Sequence, residues 1–330
     1  MERDLHFVGA DIAKRTIDLV IHGLKGHLRI ENNPNGFNQI LAWFKANRIP
    51  PAQAIVVMEH TGLYSYSFEK FLFEKGIQFF KVSSLDIKLS IGVTRGKSDR
   101  IDAARIARYG AENATRLTPA TPMSKALESL KQLNSSRDNL VRVRAGLLNS
   151  MEELRNIGLQ QTDLALDAQI KVVNALNEQI QALDQEMEDI IKSEKKLNAN
   201  YQLIKTIKGV GPVVARNAII KTHNFERFKN ARKFACFCGI APFEHTSGTS
   251  IKGRTRVNHL ADKEMKCLLD LAAKSAILCD PELTKYYHRR LELGKSKMAT
   301  LNIVRNKLVG RIFAVVKRQS PFVVSPKVAA

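Results

Sequence analysis

The sequence predicts a chain in three parts: a mixed α/β domain, a long α-helical hairpin and a mainly α C-terminal domain. Three observations predict it. Short β-branched apolar runs come first and then alternate with helical patterns up to residue 123. Residues 124–158 and 164–197 contain no proline and almost no glycine. Beyond residue 200 the texture turns to short helices interrupted by Gly209, Gly211, Gly239, Gly248 and Gly253. The expected boundaries are therefore 1–123, 124–199 and 200–330.

In the first part, the apolar run 5–11 ends in Gly9-Ala10-Asp11, residues 16–21 (TIDLVI) form a β-branched run, and 27–30 add a third strand. Such short consecutive strands predict an antiparallel meander. Phe37, Ile40, Leu41 and Phe44 stand at helical spacing over 35–47, and Ile55-Val56-Val57-Met58-Glu59 returns as a short buried strand. A helix over about 65–75 closed by Gly76, and a strand over 77–82, complete a mixed sheet. A further helix starts at Ser98 or Asp99, with Ala103, Ile106 and Ala107 on its buried side.

In the second part Val173, Leu176, Ile180, Leu183, Met187 and Ile190 follow a strict 3-4-3-4-3 spacing, a heptad seam. The preceding segment repeats Leu127, Leu130, Leu133, Leu140, Leu147, Met151 and Leu154, and residues 158–163 supply a break and a helix cap. Together they predict an antiparallel coiled-coil hairpin. In the third part, residues 204–220 read IKTIKGVGPVVARNAII, in which Gly209-Val210-Gly211-Pro212 turns between two helices. Basic amphipathic helices over roughly 260–279 and 297–318 follow.

Charge points to the partner. Of 330 residues, 52 are Lys or Arg and 32 are Asp or Glu, a net +20, and the segment 201–330 alone carries +17. A surface this basic suits a polyanion, nucleic acid first. No run approaches the ~18 apolar residues of a membrane span, and Met1-Glu2-Arg3-Asp4 is not followed by a signal-peptide core. A chain neither inserted nor exported by that route is expected in the cytoplasm. Four cysteines, Cys236, Cys238, Cys267 and Cys279, are too few for a secreted disulfide framework, and Cys236-Phe-Cys238 lacks zinc-knuckle spacing. They are expected to be small buried hydrophobes.

Four acids stand out by context. Asp11 and Glu59 each close an apolar strand, where a lone buried carboxylate costs several kcal/mol unless partnered. Asp99 and Asp102 share one helix face at i, i+3. If the four converge, they suit two hard cations about 4 Å apart and phosphodiester chemistry. Taken singly, Asp99 also suits an N-cap, Asp102 a pair with Arg105 or Arg95, and Glu59 an ordinary strand end.

Two basic elements suit phosphate. The turn Lys208-Gly209-Val210-Gly211 can offer backbone N–H groups and a helix N-terminus, or simply join two packed helices. The segment 241–256, APFEHTSGTSIKGRTR, sets Ser247 beside Gly248 in a loop, with Lys252, Arg254 and Arg256 following. By itself it reads as a phosphate-binding loop before it reads as a nucleophile. Ser250 is the alternative hydroxyl, and His245 stands two residues from Ser247.

The order GADIAK, VVMEHTG, KSDRIDAARIA, IKGVGPVVA and FACFCGIAPFEHTSGTSIKGR resembles the DEDD-type insertion-sequence transposases, which also include the pilin-gene invertase type. The likeness spans nearly the whole chain. It implies a RuvC-like, RNase H-like α/β first domain in which Asp11, Glu59, Asp99 and Asp102 hold Mg²⁺ or Mn²⁺, a coiled-coil insertion for assembly, and a C-terminal domain whose serine is Ser247. It further implies a DNA recombinase that breaks and rejoins donor and target DNA through a phosphoserine at Ser247, guided by a structured bridge RNA. Sequence choice would then rest on pairing, while Lys208, Gly209, Gly211, Lys252, Arg254 and Arg256 hold backbone. A composite site between domains or subunits, a homo-oligomer (dimer or tetramer) and a nucleoid-associated location go with this expectation. The alternatives are a RuvC-like endonuclease of the junction-resolvase type, using activated water with Ser247 only binding phosphate, and a non-catalytic nucleic-acid scaffold.

Overall fold

The computed structural model describes residues 5–60, 62–92, 98–247, 251–257 and 261–323, with backbone alone for 91, 244–247 and 251–256. The chain forms two compact units, Met1–Met123 and Ser124–Ala330. Among the described residues no helix is long and apolar enough to cross a membrane.

The first unit is built on a five-stranded mixed sheet. In chain order come β1 (His6–Ile12), β2 (Thr16–Ile21), β3 (His27–Glu31), α1 (Pro34–Ala46), β4 (Ala54–Glu59), α2 (Tyr66–Glu74), β5 (Gln78–Val82), α3 (Ser84–Ile91) and α4 (Asp99–Glu112). The sheet order is β3-β2-β1-β4-β5, with the first three strands antiparallel and β1–β4 and β4–β5 parallel. The expected meander and the two later strands are all present.

Period-two alternation divides the side chains between two faces. Val8, Ala10, Ile12, Val56 and Met58 pack with Phe37, Ile40 and Phe44 of α1 and Phe68 and Leu72 of α2. On the other face Ile55, Val57, Phe80 and Val82 meet Ile106 of α4 and Ile87 of α3. Gly9 permits the approach of α4: a Cβ there would sit 2.0 Å from the carbonyl oxygen of Ala103 and 2.4 Å from the nitrogen of Ala107. Gly110 does the same from the helix side, against Val57. Buried Glu69 on α2 accepts from Ser65 Oγ at 2.5 Å and Lys81 Nζ at 2.6 Å, which fastens α2 to β5.

The second unit opens with α5 (Lys125–Asn156) and α6 (Leu164–Ser193). They run antiparallel, as Arg137–Asp184, Arg144–Asn177 and Ser150–Gln169 contacts show. Val173, Ile180 and Met187 are buried every seventh residue, whereas Leu176, Leu183 and Ile190 are half-buried. Asp163 stands at the N-cap of α6, but its carboxylate accepts from the Gln160 nitrogen at 2.6 Å and makes no cap hydrogen bond. The helices α7 (Lys195–Lys205), α8 (Pro212–Thr222), α9 (Ala231–Phe237), α10 (Lys263–Cys279), α11 (Pro281–Glu292) and α12 (Lys297–Arg318) follow.

Between α9 and α10 the chain departs from expectation. The segment read as a serine loop is an antiparallel pair, β6 (Pro242–Ser247) with β7 (Ile251–Val257), irregular between Phe243 and His245. Its β-branched Thr246, Ile251, Thr255 and Val257 favour extended backbone. Of the cysteines, only Cys238 is fully buried, where desolvation pushes its thiol pKa up; Cys236 is intermediate, and Cys267 and Cys279 are exposed. The last two occupy solvent-accessible positions of α10 and so escape the burial expected of them.

Candidate active site

Parallel pairing aligns β1 with β4, ending at Ala10 opposite Met58. Asp11 and Glu59, the next residues, therefore lie side by side at the same strand ends. Alternation puts Asp11 in line with Phe7 and Gly9, and Glu59 in line with Ile55 and Val57. Both thus belong to the face covered by α4, whose close approach over Gly9 brings its first turn toward them. Ser98 caps α4, its Oγ accepting from the Ile101 nitrogen at 3.3 Å. Asp99 is consequently the first helical residue and not the cap. Asp99 and Asp102 stand in the first turn, where the helix dipole favours negative charge.

Asp11 senses the others. Burial first, then the charges of Asp102, Asp99, Glu59 and Asp18, raise its pKa from 3.8 to about 6. Among the described residues nothing donates a hydrogen bond to its carboxylate or pairs with it. The other three acids are occupied. Glu59 accepts from Ser84 Oγ at 2.5 Å, Asp102 pairs with Arg105 at 2.8 Å, and Asp99 lies 3.6 Å from Arg29. Arg95, the other expected partner of Asp102, lies outside the described residues.

A divalent cation fits this donor set by charge: hard carboxylate oxygens, and one half-buried acid held up by its like-charged neighbours. It does not find the ligands gathered. Among the described residues no three His, Cys, Asp or Glu side chains are close enough together to hold a metal ion.

The structure adds residues that sequence reading missed. Asp18 pairs opposite Asp11 across β1 and β2 and is buried. It meets His27 Nε2 at 2.6 Å and Arg29 Nε at 3.8 Å. Arg29 thereby spans from Asp18 to Asp99. The signal was an acid in the middle of the apolar run TIDLVI, but its partners emerge only once the β2–β3 register is known.

In the second unit Gly209 takes φ +86°, and a Cβ there would lie 2.7 Å from the Ala276 Cα, so α10 seats directly on the turn. Gly211 is the N-cap of α8 and is exposed, as is Lys208, and no side chain caps the helix. Open N–H groups at such an end suit an anion. Ser247 is the last residue of β6, opposite Ile251, and Lys252, Arg254 and Arg256 occupy alternate positions of β7. Their side chains, and all of Gly248 and Ser250, lie outside the described residues.

Comparison with known proteins assigns the class. Residues 8–156, spanning the four acids, match a family model described as a transposase. Residues 201–288, spanning the glycine turn and the β6–β7 pair, match a second, described as the transposase IS116/IS110/IS902 family. Over both segments the chain is thus similar to insertion-sequence transposases. It is 26% identical over 324 residues to the pilin gene-inverting proteins of Moraxella bovis and of Moraxella lacunata, covering 96% of this chain and 97% of each relative. It is also 25% identical over 215 residues to the transposase for insertion sequence element IS1111A of Coxiella burnetii, 58% of each chain.

Proposed function

We propose that the protein is a DNA recombinase that moves or inverts a DNA segment, with a divalent metal held by Asp11, Glu59, Asp99 and Asp102 and with Ser247 as nucleophile. The observation that carries the metal reading is Asp11, unpartnered among the described residues and held at about 6 beside three further acids on one face of the sheet. The names of the relatives, one inverting a pilin gene and one serving an insertion sequence, both denote rearrangement of DNA. The sheet order and its strand directions support a RuvC-like, RNase H-like fold for the first unit.

A cation bound there, Mg²⁺ or Mn²⁺, would neutralise charge developing on the phosphoryl oxygens. Ser247 Oγ forms a bond to phosphorus as one ester P–O bond breaks, its proton passing to the departing oxygen. A phosphoserine and a free strand hydroxyl result, and attack by another strand's hydroxyl reverses the step and rejoins DNA. The bond energy is kept in the phosphodiester, so no external energy source is needed. Lys208, Gly209 and Gly211 on one element, and Lys252, Arg254 and Arg256 on another, would hold backbone phosphates without reading bases. Sequence choice then falls to a structured guide RNA pairing with donor and target. The half-buried heptad positions Leu176, Leu183 and Ile190 support assembly of copies through the hairpin. The working place of such an enzyme is the nucleoid, in the cytoplasm.

The test is to incubate the protein and its co-purifying RNA with Mg²⁺ and labelled element-junction DNA, then resolve covalent protein–DNA adducts on a denaturing gel. An adduct that disappears in Ser247→Ala, and also in Asp11→Asn with DNA binding retained, is the expected result. Free cleaved ends without adduct, unchanged by Ser247→Ala, would replace this reading with the hydrolytic nuclease.

A further inference from the structure

A second feature lies wholly within the Ser124–Ala330 unit. Helices α5, α8 and α10 enclose a cleft of about 700 Å³. Its walls include Val141, Ile220 and Leu268. At its base, buried Asn134 donates to Asp138 Oδ2 at 2.9 Å and to Glu264 Oε1 at 3.4 Å. Lys221, which also lines the cleft, donates through Nζ to Glu264 Oε2 at 2.7 Å and to Asp262 at 2.9 Å, which fixes the glutamate. At the mouth stand the exposed cations Arg142 and Lys263, and exposed Cys267 also lines the cleft.

This combination is selective. Three aliphatic walls among mostly polar and charged side chains, and a volume within ~300–1,000 Å³, suit one small planar group rather than a duplex. Cations at the mouth favour a phosphate there. Carboxyl groups at the base repel a second anion and leave lone pairs that accept from amino groups. Burial, then the hydrogen bond and charge of Glu264, push Asp138 up to about 7. Burial also works to raise Glu264, but hydrogen bonds from Asp138 and Lys221 outweigh it and hold it below the ordinary range. The two carboxyls thus resist being ionised together, and Glu264 is the more acidic of them.

We infer that this cleft receives one unstacked nucleotide of a single-stranded nucleic acid, with Arg142 and Lys263 on its phosphate and the Asp138–Glu264 pair accepting from an exocyclic amino group of its base. The inference rests on the nucleic-acid partner proposed above, but on neither the serine nor the metal. Cytosine, adenine and guanine carry such an amino group and thymine does not, so the cleft should prefer oligo(dC) to oligo(dT) by about tenfold, one good base contact. A strand of DNA and a strand of RNA present the same chemistry, and oligo(rC) in parallel with oligo(dC) tells them apart.

Cys267 reports occupancy, and Cys279, exposed further along α10, is the internal control. The full-length protein is alkylated with a maleimide, with and without oligonucleotide, and both cysteines are followed by mass spectrometry while anisotropy measures binding in the same samples. Oligo(dC) or oligo(rC) at roughly ten times its Kd should slow Cys267 about tenfold and leave Cys279 unchanged. Arg142→Ala with Lys263→Ala should abolish the protection and lower the salt slope of single-strand binding by about 0.7, the value for one phosphate. Val141→Trp, which fills the cleft from a half-buried wall position, should do so without removing charge. An oligonucleotide bound by anisotropy that leaves Cys267 fully reactive overturns the inference and leaves the nucleic-acid reading intact. Equal protection by duplex DNA, by oligo(dT) or by inorganic phosphate alone also overturns it. Absence of any oligonucleotide binding overturns both.

Discussion

Replacing Asp11 by asparagine should stabilise the metal-free protein. The rise of the Asp11 pKa from 3.8 to about 6 means that the fold prefers its neutral form. A little over two pH units corresponds to about 3 kcal/mol. The carboxyl is only half-buried, so solvent screening reduces the effect to about 1–2 kcal/mol. Because the folded-state value is raised, this contribution to stability is fully present below the ordinary carboxylate value and is lost as pH rises through about 6. The amide of the variant is uncharged throughout and escapes that loss. In EDTA at pH 7.5, Asp11→Asn should therefore unfold about 3–6 °C above the parent chain, and the difference should vanish near pH 4. Adding Mg²⁺ should raise the parent's midpoint and leave Asp11→Asn unmoved. The refuting result is a variant no more stable than the parent in EDTA at pH 7.5, or a parent indifferent to Mg²⁺.

Three further substitutions probe the framework. Gly9→Val places its Cβ against the α4 backbone and should cost at least about 2–3 kcal/mol in chemical denaturation, with loss of the Mg²⁺ response because the first turn of α4 is displaced. Lys81→Met leaves buried Glu69 without its cation and should cost about 3–5 kcal/mol, most of which Glu69→Leu in the same chain should recover. Lys208→Ala should weaken DNA binding uniformly across sequences and reduce the magnitude of its salt slope by about 0.9, read by anisotropy at several salt concentrations.

The site was legible where local pattern and strand ends coincide. Asp11 and Glu59 each follow an alternating or continuous apolar run, and the structure sets both at the ends of neighbouring parallel strands. Asp99 and Asp102 were legible as one helix face, and Ser98 resolved which residue caps it. Asp18, His27 and Arg29 were not, because their meeting depends on cross-strand register rather than on spacing along the chain. Helix α3 escaped notice because its apolar residues form no single stripe: Ile87 is buried while Leu89 is 72% exposed. Helix α11 carried a readable start in Asp280-Pro281-Glu282, whose aspartate caps the Glu282 and Leu283 nitrogens. The β6–β7 pair lacked apolar alternation around Ser247, so nothing local separated strand from loop. The polar base of the α5–α8–α10 cleft joins Asn134 to Glu264, 130 positions apart, and no local pattern announces it.

The grip on Asp184 has a mechanical consequence. Arg137 of α5 and Arg216 of α8 both hold this one carboxylate of α6, at 2.6 and 2.7 Å. Arg216 is buried and also donates to Asn134 of α5. The hairpin is thus held at its base through Asp184 and Asn134, and from Asp184 α6 reaches back some 20 residues, or about 30 Å, to its tip. An arm of that length held only at its base is a lever. Force applied at the tip arrives as torque on Arg216, hence on α8, whose other end is the Gly209–Gly211 turn.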